Sequence, residues 1–128
     1  MATLLLDTNI LIDVINGRNN RPSQVEGLLD GGALLACTSI NVTEIYMGMR
    51  PGESAATERL LKELDFYPVT WDIARLAGQL FNQWRLKGHT LALADVTIAA
   101  VCLANKLMLV TDNQKHFPMP ELKIHLLN

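Results

Sequence analysis

Apolar residues in this chain follow two rhythms that alternate along its length. Short unbroken runs, such as Leu4-Leu5-Leu6, Leu34-Leu35-Ala36-Cys37 and Leu107-Met108-Leu109-Val110, read as strands buried on both faces, the pattern of a parallel sheet. Between them the period lengthens to that of a helix. Over residues 71–86 the apolar positions Ile73, Leu76, Ala77, Leu80, Phe81 and Trp84 share one side, while Arg75, Gln79 and Gln83 take the other. The full reading starts with a strand at 3–6, a helix at 9–16 ending near Gly17, and a polar turn at 18–22. A helix at 23–30 is stopped by Gly31-Gly32, and a strand follows at 33–37. Thr38 or Ser39 caps a helix reaching residue 49, where Arg50-Pro51-Gly52 breaks it. A helix at 55–64, a short strand at 66–69 and the helix at 71–86 lead to a loop at Gly88-His89-Thr90. A nearly all-apolar helix at 92–105, a strand at 107–110 and an edge strand at 123–126 complete the chain. Strands alternating with helices predict an α/β domain with a central parallel sheet, helices on both faces and right-handed crossovers.

Composition narrows the function classes. The 128 residues carry no repeat and no low-complexity stretch, so one domain over residues 1–128 is expected. With 49 % hydrophobic and 19 % charged residues, the chain has no compositional case for disorder. No apolar run approaches the roughly 18 residues that cross a bilayer, and no signal peptide is visible, so a cytoplasmic protein without membrane contact is expected. Cys37 and Cys102 lie in apolar company and read as reduced core residues. The net charge of −2 argues against a broad phosphate-binding surface built on bulk charge, although an acidic metal site could offset a basic rim. Arg50, Arg59, Lys62, Lys87, Lys106 and Lys115 are the basic residues that could track a nucleic acid. Aromatic residues, at 5 %, are too few for extensive base stacking.

Four places along the chain stand out by context. Asp7 follows the first strand directly, at the carboxyl edge where open α/β sheets place ligands. Glu44 lies one turn into a helix between apolar neighbours Val42 and Ile45. Asp95 is a lone charge in Leu93-Ala94-Asp95-Val96-Thr97-Ile98-Ala99-Ala100, with no Lys or Arg within one helical turn. Burying an ionised carboxylate without a partner is costly, so Asp95 calls for a cation. Asp112 and Asn113 follow the strand at 107–110, on the same sheet edge as Asp7. Oxygen ligands converging on one point suit Mg²⁺ or Mn²⁺. No His/Cys spacing for zinc is present, and His89, His116 and His125 read as scattered surface or loop residues.

These motifs resemble the PIN domain, and within it the VapC-type toxins of bacterial toxin–antitoxin pairs. The resemblance rests on Asp7-Thr8-Asn9 with Asp13, on Ser39 and Glu44 with Gly48, on Gly88 with Asp95 and Ile98-Ala99-Ala100, and on Thr111-Asp112-Asn113 with His116-Phe117. It covers essentially the whole chain, with the motifs in the family's order. It implies a three-layer α/β/α sandwich and an Mg²⁺-dependent endoribonuclease, with Mn²⁺ as a substitute, that cuts single-stranded or loop RNA as the toxin of such a pair. Asp7, Glu44 and Asp95 would be the catalytic metal ligands, and Asp112 a fourth catalytic acid. The chain departs from the commonest pattern here: many members place Asp where this chain has Asn113, so Asp112 or Asn113 would reach the metal directly or through water. Thr8, Asn9, Ser39 and Thr111 would orient the carboxylates and substrate. A small VapB-type antitoxin, the RNA substrate and a second copy of the chain are the implied partners. Two other readings are a catalytically silent PIN-like binding module and a phosphoryl-transfer domain with an Asp after strand one. Intact Asp7, Glu44 and Asp95 argue against the first. Asn9, where haloacid-dehalogenase-like phosphatases need a second Asp, argues against the second.

Overall fold

The computed structural model describes residues 2–127. Five strands, β1 (Thr3–Leu6), β2 (Leu34–Thr38), β3 (Asp65–Tyr67), β4 (Met108–Val110) and β5 (Ile124–His125), form one sheet in the order β3-β2-β1-β4-β5. Every pairing is parallel. Side chains on a strand alternate between faces, and the core divides accordingly. Leu5, Ala36 and Leu109 face one side, where α5 (Trp71–Leu86) and α6 (Leu93–Asn105) supply Ile73, Ala77, Leu80, Ile98, Val101 and their neighbours. Leu4, Leu6, Leu35, Cys37 and Val110 face the other. There α1 (Thr8–Asn16), α2 (Arg21–Asp30), α3 (Ser39–Met47) and α4 (Ser54–Lys62) contribute Ile10, Leu11, Val25, Ile45 and Leu61. The result is the expected three-layer sandwich. Among the described residues no helix is long and apolar enough to cross a membrane, and Cys37 and Cys102 are free and buried.

One departure from the sequence expectation bears on function. Helix α2 begins at Arg21, inside the segment expected to be a polar turn, because Pro22 falls in the first helical turn, where its missing N–H has no partner to lose. The chain enters it through Asn19 and Asn20, both in the left-handed region at φ 55° and 58°. Helix α1, by contrast, closes in the ordinary way on Gly17, which takes the left-handed conformation at φ 65°.

The topology creates one privileged edge. β1 lies at the centre, with Leu5 opposite Ala36 of β2 and Leu6 opposite Val110 of β4. The chain leaves β1 toward β2 on one side and returns later to β4 on the other. Such a reversal of strand order opens a crevice at the carboxyl ends of the strands. Asp7, Thr38 and Thr111 each follow or end one of these three strands at that crevice.

Candidate active site

Asp7 is only 6 % exposed, and its main-chain N–H donates to the Val110 carbonyl (2.9 Å), continuing the β1–β4 ladder by one step. Its two carboxylate oxygens are divided between local donors. Oδ1 accepts from the Thr8 N–H (2.8 Å), capping α1, and Oδ2 accepts from the buried Thr111 hydroxyl (2.7 Å). Thr8 is itself bound on two sides. Its hydroxyl donates to Glu44 Oε1 (2.7 Å) and accepts from Asn41 Nδ2 (3.0 Å), which fixes the direction of the hydroxyl proton. Asn41, fully buried in the first turn of α3, also donates to the Leu6 carbonyl (3.3 Å) and accepts from the Thr38 N–H (2.8 Å). One amide thus ties β1, β2, α1 and α3 together beneath the carboxylates.

Asp95 lies in the first turn of α6, just ahead of the fully covered stretch from Val96 to Cys102. Burial pushes its carboxyl above the ordinary value, and the negative charges of Asp7 and Glu44 push it further the same way. His116 acts against them: its Nδ1 lies 3.3 Å from Asp95 Oδ2. Asp95, His116, Lys115, His89 and Thr90 line an open cleft of about 360 Å³ beside the crevice. Among the described residues no basic side chain pairs with Asp7 or Glu44. Three carboxylates therefore share one neighbourhood with a single imidazole against them.

The fourth acid is held differently. Asp112 Oδ1 accepts from the Arg21 guanidinium, whose Nε lies 3.8 Å from Asp13 Oδ2. Asn113 donates its main-chain N–H to the Thr111 hydroxyl (3.0 Å) and so braces the group that holds Asp7. Of the other residues expected to orient the site, Ser39 accepts from the Val69 N–H (3.1 Å), anchoring the segment after β3, and Asn9 is exposed. Among the basic candidates, Arg50 pairs with Glu53, Lys62 with Glu58, and Lys87 stacks over Trp84. Lys106 caps the far end of α6, roughly 16 Å of helix rise from Asp95. Only Lys115 of that set lines the Asp95 cleft.

Sequence reasoning passed over Arg21, Asn41 and His116 as working residues. Asn41 could have been found, since an amide three residues after Thr38 is a capping pattern. His116 falls within the last motif, but its sequence neighbours mark it only as a loop residue. Arg21 gave no signal, because nothing local marks a helix starting after two left-handed asparagines.

The donor set fits a hard divalent cation in chemistry: three carboxylates, all oxygen, whose mutual repulsion such an ion would relieve. Each carboxylate is turned toward its own protein donor, and among the described residues no three His, Cys, Asp or Glu side chains stand grouped so that they could hold a metal ion as they are arranged.

The chain matches the family model of the PIN domain over residues 4–120. It is 32 % identical over 120 residues to ribonuclease VapC19 of Mycobacterium tuberculosis, across 93 % of this chain and 96 % of that protein. It is 34 % identical over 119 residues to ribonuclease VapC10 of the same species, across 92 % and 88 %. Among solved structures it is similar to the DNA-bound VapBC of Salmonella typhimurium, with a TM-score of 0.83 at 25 % identity over 98 % of each chain.

Proposed function

The chain belongs to the PIN-domain family, and from that premise we propose that it is a divalent-metal-dependent endoribonuclease of the VapC type, the toxin of a toxin–antitoxin pair. The observation that carries this reading is the buried Asp7 carboxylate at the sheet crossover, within electrostatic reach of Asp95, which also feels Glu44, and with no basic partner among the described residues. Its relatives named as ribonucleases supply the reaction class, and the VapBC complex supplies the partner class.

Asp7, Glu44 and Asp95 would hold Mg²⁺, or Mn²⁺ in its place. Bound there, the ion would neutralise the scissile phosphate and lower the pKa of an attacking water. The chain's own groups prepare that site. Thr111 and Thr8 fix the carboxylates of Asp7 and Glu44, and His116 steadies Asp95. Lys115 and His89, on the cleft wall, are placed to meet backbone phosphates of a single strand. No side-chain nucleophile is called for. Burial pushes the Cys37 and Cys102 thiols up to about 11 and about 12, so neither is a thiolate at neutral pH.

We assign the chain a cytoplasmic location, a VapB-type antitoxin and a second copy of itself as partners. A cluster of carboxylates is a natural receptor for an antitoxin arginine, which bridges them through its planar fork. Exposed Met47, Trp71, Leu86 and Leu93 offer apolar area for such contacts. The test is cleavage of a single-stranded RNA by the purified chain. Mg²⁺ or Mn²⁺ should support it and EDTA should stop it. Undiminished cleavage in excess chelator refutes the metal mechanism.

A further inference from the structure

We infer that Arg21 is a positioning residue of this site, with Asp112 as its anchor rather than a metal ligand; the inference rests on the metal-dependent reading above. Arg21 projects from the first turn of α2 and is only 8 % exposed, so its charge must be matched inside the protein. It is matched by carboxylates from two other segments. One terminal nitrogen donates to Asp112, Nε lies 3.8 Å from Asp13 of α1, and the other terminal nitrogen donates to Gln24 (2.7 Å). The planar guanidinium donates to Asp112 and Gln24 at once, while Nε, 3.8 Å from Asp13, has no hydrogen-bond partner among the described residues; a lysine's single point charge would not reproduce this fork.

What it connects is the turn that controls Asp7. Asp112 is the residue after Thr111, whose hydroxyl donates to Asp7 Oδ2 (2.7 Å) and accepts from the Asn113 N–H (3.0 Å). Fixing the Asp112 side chain fixes this three-residue turn from outside, and with it the donor that orients the Asp7 carboxylate. A second observation points the same way. Two consecutive non-glycine residues, Asn19 and Asn20, are held in the left-handed region immediately before Arg21. Asn19 Nδ2 in turn donates to Asp13 Oδ2 (3.0 Å). Backbone of that kind persists where surrounding contacts over-determine it, and here the bend delivers Arg21 to Asp13 and Asp112.

The charge pattern agrees. Among the described residues, Asp7, Glu44 and Asp95 lack a basic side chain of their own other than His116, whereas Asp112 has a permanent cation. Three acids remain for a divalent ion, and the fourth is engaged.

A double-mutant cycle on the full chain tests this, with Mn²⁺ binding by calorimetry and steady-state RNA cleavage as readouts. Arg21→Met and Asp112→Asn should each weaken Mn²⁺ affinity about 10-fold and lower kcat with KM for RNA little changed. The double variant should lose the same factor of about 10, since both act through one turn. If Arg21→Met does not fold, Arg21→Lys takes its place in the cycle and should give an intermediate loss. Losses that multiply in the double variant overturn the inference, as does unchanged Mn²⁺ affinity in both singles. Tighter Mn²⁺ binding by Arg21→Met also overturns it, because a freed Asp112 would then be a ligand. Failure of the unmodified chain to bind Mn²⁺ refutes the metal-dependent reading itself, and this inference with it.

Discussion

Replacing Asn41 with alanine should uncouple the fold from the site beneath which it lies. The side chain is fully buried and makes three hydrogen bonds, to the Thr38 N–H (2.8 Å), the Thr8 hydroxyl (3.0 Å) and the Leu6 carbonyl (3.3 Å). A buried neutral hydrogen bond contributes about 1 kcal/mol net, and a stranded donor such as the Thr38 N–H costs about 1–3 kcal/mol. The Leu6 bond is long and weighs least, so the total comes to about 3 kcal/mol. At roughly 2.1 cal/mol/K of unfolding entropy per residue, a chain of 128 residues loses about 10 °C in Tm for that change. The functional effect is separate. Without Asn41 the Thr8 hydroxyl is no longer told to donate toward Glu44, and cleavage measured well below the new Tm should fall by roughly 10- to 100-fold. Asn41→Asp keeps the acceptor for Thr38 but loses both donors, and should lose activity to at least the same extent. Thermal melting with and without Mn²⁺, beside RNA cleavage at 20 °C below Tm, measures both. A Tm drop under about 2 °C would show that water already satisfies these groups. A large drop with undiminished cleavage would refute the relay to Glu44.

Asp95→Asn should abolish cleavage and raise the metal-free stability at neutral pH. The carboxyl's folded pKa is raised, so its contribution is intact below the ordinary value of 3.8 and is lost as pH rises through the folded value. The stability gap between variant and wild type should therefore open from acid toward neutral pH, and a variant less stable than wild type at pH 7 contradicts this. Thr111→Val removes a buried hydroxyl bonded to a carboxylate, at a cost of about 1.5–3 kcal/mol, and should weaken Mn²⁺ binding by roughly 10-fold or more in a calorimetric titration. Unchanged Mn²⁺ affinity would show that Asp7 needs no such brace.

The inner strands β1, β2 and β4 were legible because parallel strands covered on both faces write themselves as unbroken apolar runs. Helix α5 was legible to its ends, at Trp71 and Leu86, because Thr70 caps it and one face is apolar throughout. Boundaries slipped where local chemistry competed. The two-residue advance of α2 to Arg21 depends on a bend through Asn19 and Asn20 that no periodicity announces. For the site, Asp7, Glu44 and Asp95 announce themselves as carboxylates in apolar company, which is a property of the sequence. The partners of those carboxylates do not. Asn41 gives only a capping pattern with Thr38, and His116 and Arg21 sit in ordinary polar stretches; their bonds to Thr8, Asp95 and Asp112 join segments far apart in sequence.

The bond between Thr111 and Asp7 spans 104 positions, and it bears on how such an enzyme is born. The central strand β1 is made before β2 and β3, and its other neighbour β4, with the turn that orients Asp7, follows them. Pairing strands so far apart in sequence is entropically slow. Until β4 has inserted, Asp7 lacks the Thr111 hydroxyl, Asp112 lacks its place beside Arg21, and Asp95 lacks His116. A chain emerging N-terminus first thus carries its carboxylates long before the groups that orient them, and whatever the site does waits on that late closure.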